Sequence, residues 1–192
     1  GNTAWFLRTD VTSTPSLRRM IERTESKFGR IDIIHNNAIW FQHGSAVELD
    51  EKDWDRTIRT NLKGTFLCTR QAAQIMKDAE GGVIINIGSG ANKAPFPSLI
   101  DYCASKGGIE TFTVVAAVEL GRHGIRVNCV APGCIEIERT REESPDYRTA
   151  VVLTTVLFEN CIVPTHIVEF LPPCFPPIWE NSRTRGLSPP LF

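Results

Sequence analysis

Three brief, β-branched apolar runs recur along the chain with long helical patterns between them, and this alternation limits the available folds more than any other feature. The runs are "RIDIIHNN" (30–37), "VIINIGSG" (83–90) and "IRVNCVAPG" (125–133). Each is short, apolar and bounded by turn-forming residues, which reads as a buried strand. Ahead of the first run, Leu17, Ile21, Thr24 and Phe28 repeat at helical spacing, with Ser13 or Thr14 as a cap, Pro15 in the first turn and Gly29 as the stop. Asp50 caps a second pattern through Trp54, Ile58, Leu62, Thr65 and Ile75, closed by Gly81-Gly82. "YCASKGGIETFTVVAAVELGRHG" supplies a third. Strand, helix, strand, helix at this spacing predicts an α/β fold whose parallel strands are joined by crossover helices covering both faces. A fourth run, "AWFLRTDV" (4–11), also reads as a strand.

The chain has 192 residues, is 42% hydrophobic and carries a net charge of −1, enough for one domain with a sizeable core. It lacks the basic stripe of a nucleic-acid binder. Its longest apolar runs, "TVVAAV" and "VVLTTVLF", fall far short of the ~20 residues of a membrane span. No charged-then-apolar signal peptide opens it. Six cysteines, Cys68, Cys103, Cys129, Cys134, Cys161 and Cys174, form no C-x-x-C pair and stand among apolar or small residues. That distribution predicts reduced, buried thiols, no metal site and a reducing, cytoplasmic setting. From residue 151 the character changes: seven of the twelve prolines lie in 151–192, a density that blocks helix interiors and central strands. The expected division is therefore a folded unit over 1–150 and a proline-rich tail over 151–192 that stays outside the sheet.

The chemistry-bearing stretch is "SLIDYCASKGG" (98–108). Residues four apart share a helical face, so Tyr102 and Lys106 project side by side, and a nearby cation favours a phenolate and lowers its pKa. A phenol so tuned serves as an acid or base. A bare Y-x-x-x-K is also an ordinary surface pair, so its company matters. Ser89 directly follows a strand, where the carboxyl edge of a parallel sheet opens into a crevice, although it is equally a turn former between Gly88 and Gly90. Asn61 sits inside a helical pattern that asparagine disfavours. Asn36 and Asn37 end another strand with two amides in line, suited to a polar ligand or to a plain turn.

Taken in order, "FLRTDVT", "HNNA", "DWDRTIRTNLKGTFLCTR", "GGVIINIGS", "YCASKGG" and "GIRVNCVAPG" resemble the short-chain dehydrogenase/reductase family over roughly residues 5–140. The resemblance implies a Rossmann-like, doubly wound parallel sheet, NAD or NADP as cofactor, and interconversion of a secondary alcohol and a ketone. It also implies Tyr102 as acid/base, Lys106 lowering its pKa while bonding the nicotinamide ribose, Ser89 holding the substrate oxygen, and Asn61 holding a water of a proton relay. By the same resemblance Asp10 and Val11 meet the adenine, Asn36, Asn37 and Ala38 border the adenosine ribose and pyrophosphate, and Pro132, Gly133 and Ile135 border the nicotinamide. Partners expected from it are a small alcohol or ketone and a second copy of the chain, as a homodimer or homotetramer built on helices near 51–77 and 102–121. Substrate contacts are expected from the segment after Gly133.

The departures are equally specific. No G-x-x-x-G-x-G turn occurs in the 192 residues, Ile39 stands where the family has glycine, Ile137 replaces a threonine, and no family-like ending follows residue 150. The sheet is therefore expected to be incomplete, truncated by its first two strands and glycine-rich loop, with a divergent or frame-shifted tail. In the family's strand order 3-2-1-4-5-6-7 that leaves residues 4–11 without a neighbour and three strands in continuous register. The alternative function is a catalytically inactive remnant acting as an interaction or regulatory partner. A sugar-nucleotide epimerase or dehydratase shares Y-x-x-x-K, but "NNA" and "NLKG" look more like the shorter reductases.

Overall fold

In the computed structural model, residues 4–133 and 151–152 are described. The predicted helix signals act where they stand. Ser13 caps α1 (Thr14–Phe28), its hydroxyl accepting from the Ser16 amide at 3.4 Å, and Gly29 ends the helix at φ 84°, a left-handed conformation that favours glycine. Asp50 caps α2 (Glu51–Ile58) by accepting from the Lys52 amide at 3.0 Å. The long helix expected over 51–77 is interrupted: α2 passes through a π turn at Arg59–Lys63 into α3 (Gly64–Asp78).

Three parallel strands follow the expected runs: β1 (Ile33–Asn36), β2 (Gly82–Ile87) and β3 (Ile125–Pro132). Ile34 pairs with Ile84, and Ile84 with Val127, so these side chains share one sheet face. That face packs against Ile21 of α1, Ala72, Ala73 and Met76 of α3, and Ala116 and Ala117 of α4 (Ile100–Gly121). Helices were expected on both faces. Among the described residues, the core draws α1, α3 and α4 to the same one. Asn36, in register with Asn86, donates to it at 2.9 Å and to Thr69 at 3.2 Å, and Asn86 donates on to Thr113 at 2.9 Å. This buried amide line ties β1, β2, α3 and α4 together behind the sheet's carboxyl edge.

Two expectations fail. Residues 4–10 form no strand, and Phe6 is 85% exposed, because a strand needs a neighbour to satisfy its backbone and none of the described strands lies beside it. At the other end, Val151–Val152 form a short strand, β4, antiparallel to Ala131 and Pro132, so the start of the tail does join the sheet. The remainder of the tail, the segment 134–150 and Ile135 lie outside the described residues. No described helix is long and apolar enough to cross a membrane. Of the apolar residues on the two long helices, Ile75 and Phe112 pack against the core, whereas Phe66 and Val115 are exposed, with Phe66 set edge-on to Phe112.

Candidate active site

The carboxyl end of β2 and the first turns of α4 bring three predicted residues together. Ser89 follows β2 and accepts from the Ala91 amide at 3.1 Å, which leaves its own hydroxyl proton for another acceptor. Beside it lies Tyr102, whose phenol burial raises above its ordinary range while Ser89 pulls it back down. One turn on, Lys106 is only 3% exposed, and its ammonium donates to the Ile87 carbonyl at 2.6 Å. It forms no ion pair among the described residues, and burial lowers its pKa to about 8.

The expected cation-lowered phenol is therefore not the arrangement found. The Lys106 nitrogen sits 5.7 Å from the Tyr102 ring centroid, turned toward a strand carbonyl, and desolvation governs both groups. Pro132 and Gly133 lie alongside: a Cβ added to Gly90 would stand 3.5 Å from the Pro132 carbonyl and 3.6 Å from the Gly133 Cα.

A cavity of about 200 Å³ gathers the second group, lined among others by Val11, Asn37, Ala38, Thr60 and Gly64; it does not reach Ser89, Tyr102 or Lys106. A Cβ at Gly64 would come 3.1 Å from Val11 Cγ2, so the absence of a side chain there keeps Val11 seated. Asp10 caps its own turn, and hydrogen bonds from the Thr12 amide and hydroxyl, each 2.8 Å, hold its carboxyl below the usual range. Asn36 lines the same cavity, while its side-chain nitrogen donates to Asn86 and Thr69 in the amide line behind the sheet's edge.

Asn61 is fully buried in the π turn, a distortion common at functional sites. Its side chain accepts from the Trp40 amide at 2.8 Å and donates to the Trp40 carbonyl at 2.9 Å and the Ser105 hydroxyl at 3.0 Å.

A family model for short chain dehydrogenases matches residues 1–148. The chain belongs to the short-chain dehydrogenase/reductase family. It is 44% identical over 131 residues to a subunit of (2S)-[(R)-hydroxy(phenyl)methyl]succinyl-CoA dehydrogenase, BbsD, from Thauera aromatica, covering 66% of this chain and 50% of the relative. It is 40% identical over 148 residues to the (3R)-3-hydroxyacyl-CoA dehydrogenase of Mus musculus, covering 74% and 57%. The solved structure of ElxO with NADP bound superposes with a TM-score of 0.69 at 33% identity, covering 74% of this chain and 59% of that one. The chain spans about half the length of the curated relatives it matches.

Within this reductase fold, sequence reasoning passed over Asp101, Thr57 and Phe41. Asp101 is fully buried, and its carboxylate joins the Thr57 hydroxyl, the Gln42 amide and the Tyr102 amide. Phe41 lays its ring 5.3 Å from that of Tyr102. The nearest signal was an acidic residue directly before the tyrosine in "IDYC"; its partners lie 44 and 59 positions away.

Proposed function

We propose that this chain carries the proton-transfer half of an NAD- or NADP-dependent oxidoreductase that interconverts a secondary alcohol and a ketone. The observation that carries the reading is the convergence of Ser89, Tyr102 and a buried Lys106, which has no ion pair among the described residues, at the carboxyl edge of β2. A lysine ammonium has three N–H donors, and here one is used on Ile87, so a ribose diol placed beside it fits the remainder. Val11, Asn37 and Ala38 fit the adenosine end, through the cavity they line. The residues present thus suit the two ends of a dinucleotide. The phosphate-binding G-x-x-x-G-x-G is not among the 192 residues.

When bound, the nicotinamide supplies or accepts the hydride. The chain's own residues handle the oxygen. Ser89 donates a hydrogen bond to the carbonyl oxygen, stabilising negative charge as it develops, and Tyr102 delivers the proton. Lys106 holds a ribose hydroxyl with the N–H groups not used on Ile87, and the Ser89 hydroxyl favours the phenolate that remains after transfer. The hydroxyacyl and hydroxy(phenyl)methyl dehydrogenase names of the two relatives support a secondary alcohol and ketone pair.

The assay is consumption of NADH or NADPH with a panel of ketones and β-ketoacyl thioesters. Reduction requires a protonated Tyr102, which its raised pKa ensures through neutral pH, and a protonated Lys106, which is lost above about pH 8. Carbonyl reduction is therefore expected to hold steady at neutral pH and to fall as pH rises through about 8. A flat profile up to pH 10 contradicts the role of Lys106. Saturable dinucleotide binding without turnover of any panel member supports instead the reading of a non-catalytic remnant.

A further inference from the structure

Asp101 resembles an ordinary helix-start acid, since one oxygen accepts from the Tyr102 amide in its own first turn at 2.7 Å. Its other oxygen does something else. Buried at 0% exposure, it takes the Thr57 hydroxyl from α2 and, at 3.4 Å, the Gln42 amide from the segment after β1. That segment is tied at every second residue. Trp40 is held through both backbone groups by Asn61, Gln42 by Asp101, and Gly44 by the Ser98 carbonyl at 3.0 Å. Between these ties the Phe41 ring lies 5.3 Å from the Tyr102 ring, tilted by 56°, and His43 stands edge-on to Phe41 at 5.6 Å. Asn61 also reaches Ser105, whose hydroxyl donates to the Tyr102 carbonyl at 2.8 Å, so strap and helix turn are fixed to one another from two sides.

We propose that Asp101 is a positioning residue: by joining Thr57, Gln42 and the Tyr102 amide it clamps the strap 40–44 so that Phe41 covers one side of the phenol and sets its orientation. The inference rests on the reading of Tyr102 as the proton carrier. It assigns Phe41 as the apolar wall that a substrate meets beside the hydroxyl. The groups facing the phenol are Ser89, which lowers its pKa, Cys103, which raises it, Lys106 across the ring, and the Phe41 ring at 5.3 Å.

The test uses the full 192-residue chain, without cofactor, labelled with 13C at tyrosine Cζ. Only Tyr102 and Tyr147 report, and Tyr147→Phe identifies the second signal. Loosening the strap hydrates the phenol, so Asp101→Asn and Thr57→Val should each move the Tyr102 titration down toward the ordinary tyrosine value, by roughly half a pH unit or more. Each should also weaken magnetisation transfer between the Phe41 and Tyr102 rings. Thr57→Val keeps the carboxylate charge, so a shift there reports geometry. Thr57→Ser should restore both readings, and Phe41→Ala should reproduce the titration shift with the carboxylate network intact. If Asp101→Asn fails to fold, Thr57→Val decides alone. Unmoved titration and ring contact in folded Thr57→Val overturn the proposal and leave Asp101 a purely structural residue. Since nothing is turned over, this outcome is separate from whether Tyr102→Phe abolishes reduction.

Discussion

Tyr102→Phe removes more than nine-tenths of carbonyl reduction by a polypeptide carrying this segment, and by about 10²–10⁴-fold if the phenol supplies the full benefit of a positioned general acid. Dinucleotide affinity is expected to stay within about threefold, because a phenylalanine keeps the ring contact with Phe41 and loses only the hydroxyl beside Ser89. The result is read as kcat against Kd for the same preparation. A variant that keeps more than about a tenth of the parent kcat assigns the proton to another group, since a tenfold loss is below what general-acid catalysis contributes.

Lys106→Met is expected to act on rate and stability in opposite directions. Rate and cofactor affinity fall together, since the ammonium is proposed to hold the ribose that places the nicotinamide beside Tyr102. Stability rises. Burial displaces the Lys106 pKa from 10.5 to about 8, a difference of about 3 kcal/mol at 1.4 kcal/mol per tenfold. Losing the bond to the Ile87 carbonyl takes back about 1 kcal/mol. The net gain is therefore about 2 kcal/mol at pH 7. Its pH dependence has a fixed sign. Below about pH 8 the lysine is charged in both folded and unfolded chains, so the full penalty is present and the methionine variant leads by its full margin. As pH rises from about 8 to 10.5 the folded lysine is neutral while the unfolded one is still charged, and the margin shrinks. Urea titrations at pH 7 and pH 10 check this. A methionine variant less stable than the parent at pH 7 contradicts the picture of an isolated buried charge.

The gain from Lys106→Met would mark the lysine as a residue kept at the expense of stability, as functional sites often are. This is the physical distinction between Lys106 and an ordinary i,i+4 surface partner of a tyrosine, which stays solvated and stabilises slightly.

Much of the framework is legible because its signals are local. Ser13, Gly29 and Asp50 act within one helical turn of where they stand, and the β-branched runs at 33–36, 82–87 and 125–132 need only their own burial to be recognised as strands. The pairing of Tyr102 and Lys106 with Ser89 is legible through spacing and order along the chain. What escapes is whatever depends on a second element. Residues 4–11 have strand composition but no partner among the described strands. Asn36 reads as a ligand amide until the parallel register sets it opposite Asn86, which turns it inward. Asp101 has partners 44 and 59 positions away, so no window around "IDYC" contains them. The phenol's raised pKa follows from its burial, a quantity that residue spacing does not contain. Val151–Val152 pair with β3 despite the proline-rich sequence that follows, because two residues suffice for one antiparallel exchange.

The central claim concerns the half-site formed by Ser89, Tyr102 and Lys106, and half a cofactor tests it most directly. Reduced nicotinamide mononucleotide carries the nicotinamide and its ribose but no adenosine and no pyrophosphate bridge, so it needs neither the cavity beside Val11 nor a glycine-rich loop. Titrated into the 192-residue chain, it is expected to saturate while shifting the Lys106 Nζ and Tyr102 Cζ resonances, and to lose that saturation in Lys106→Met. No shift at either residue, or undiminished binding to folded Lys106→Met, contradicts the account.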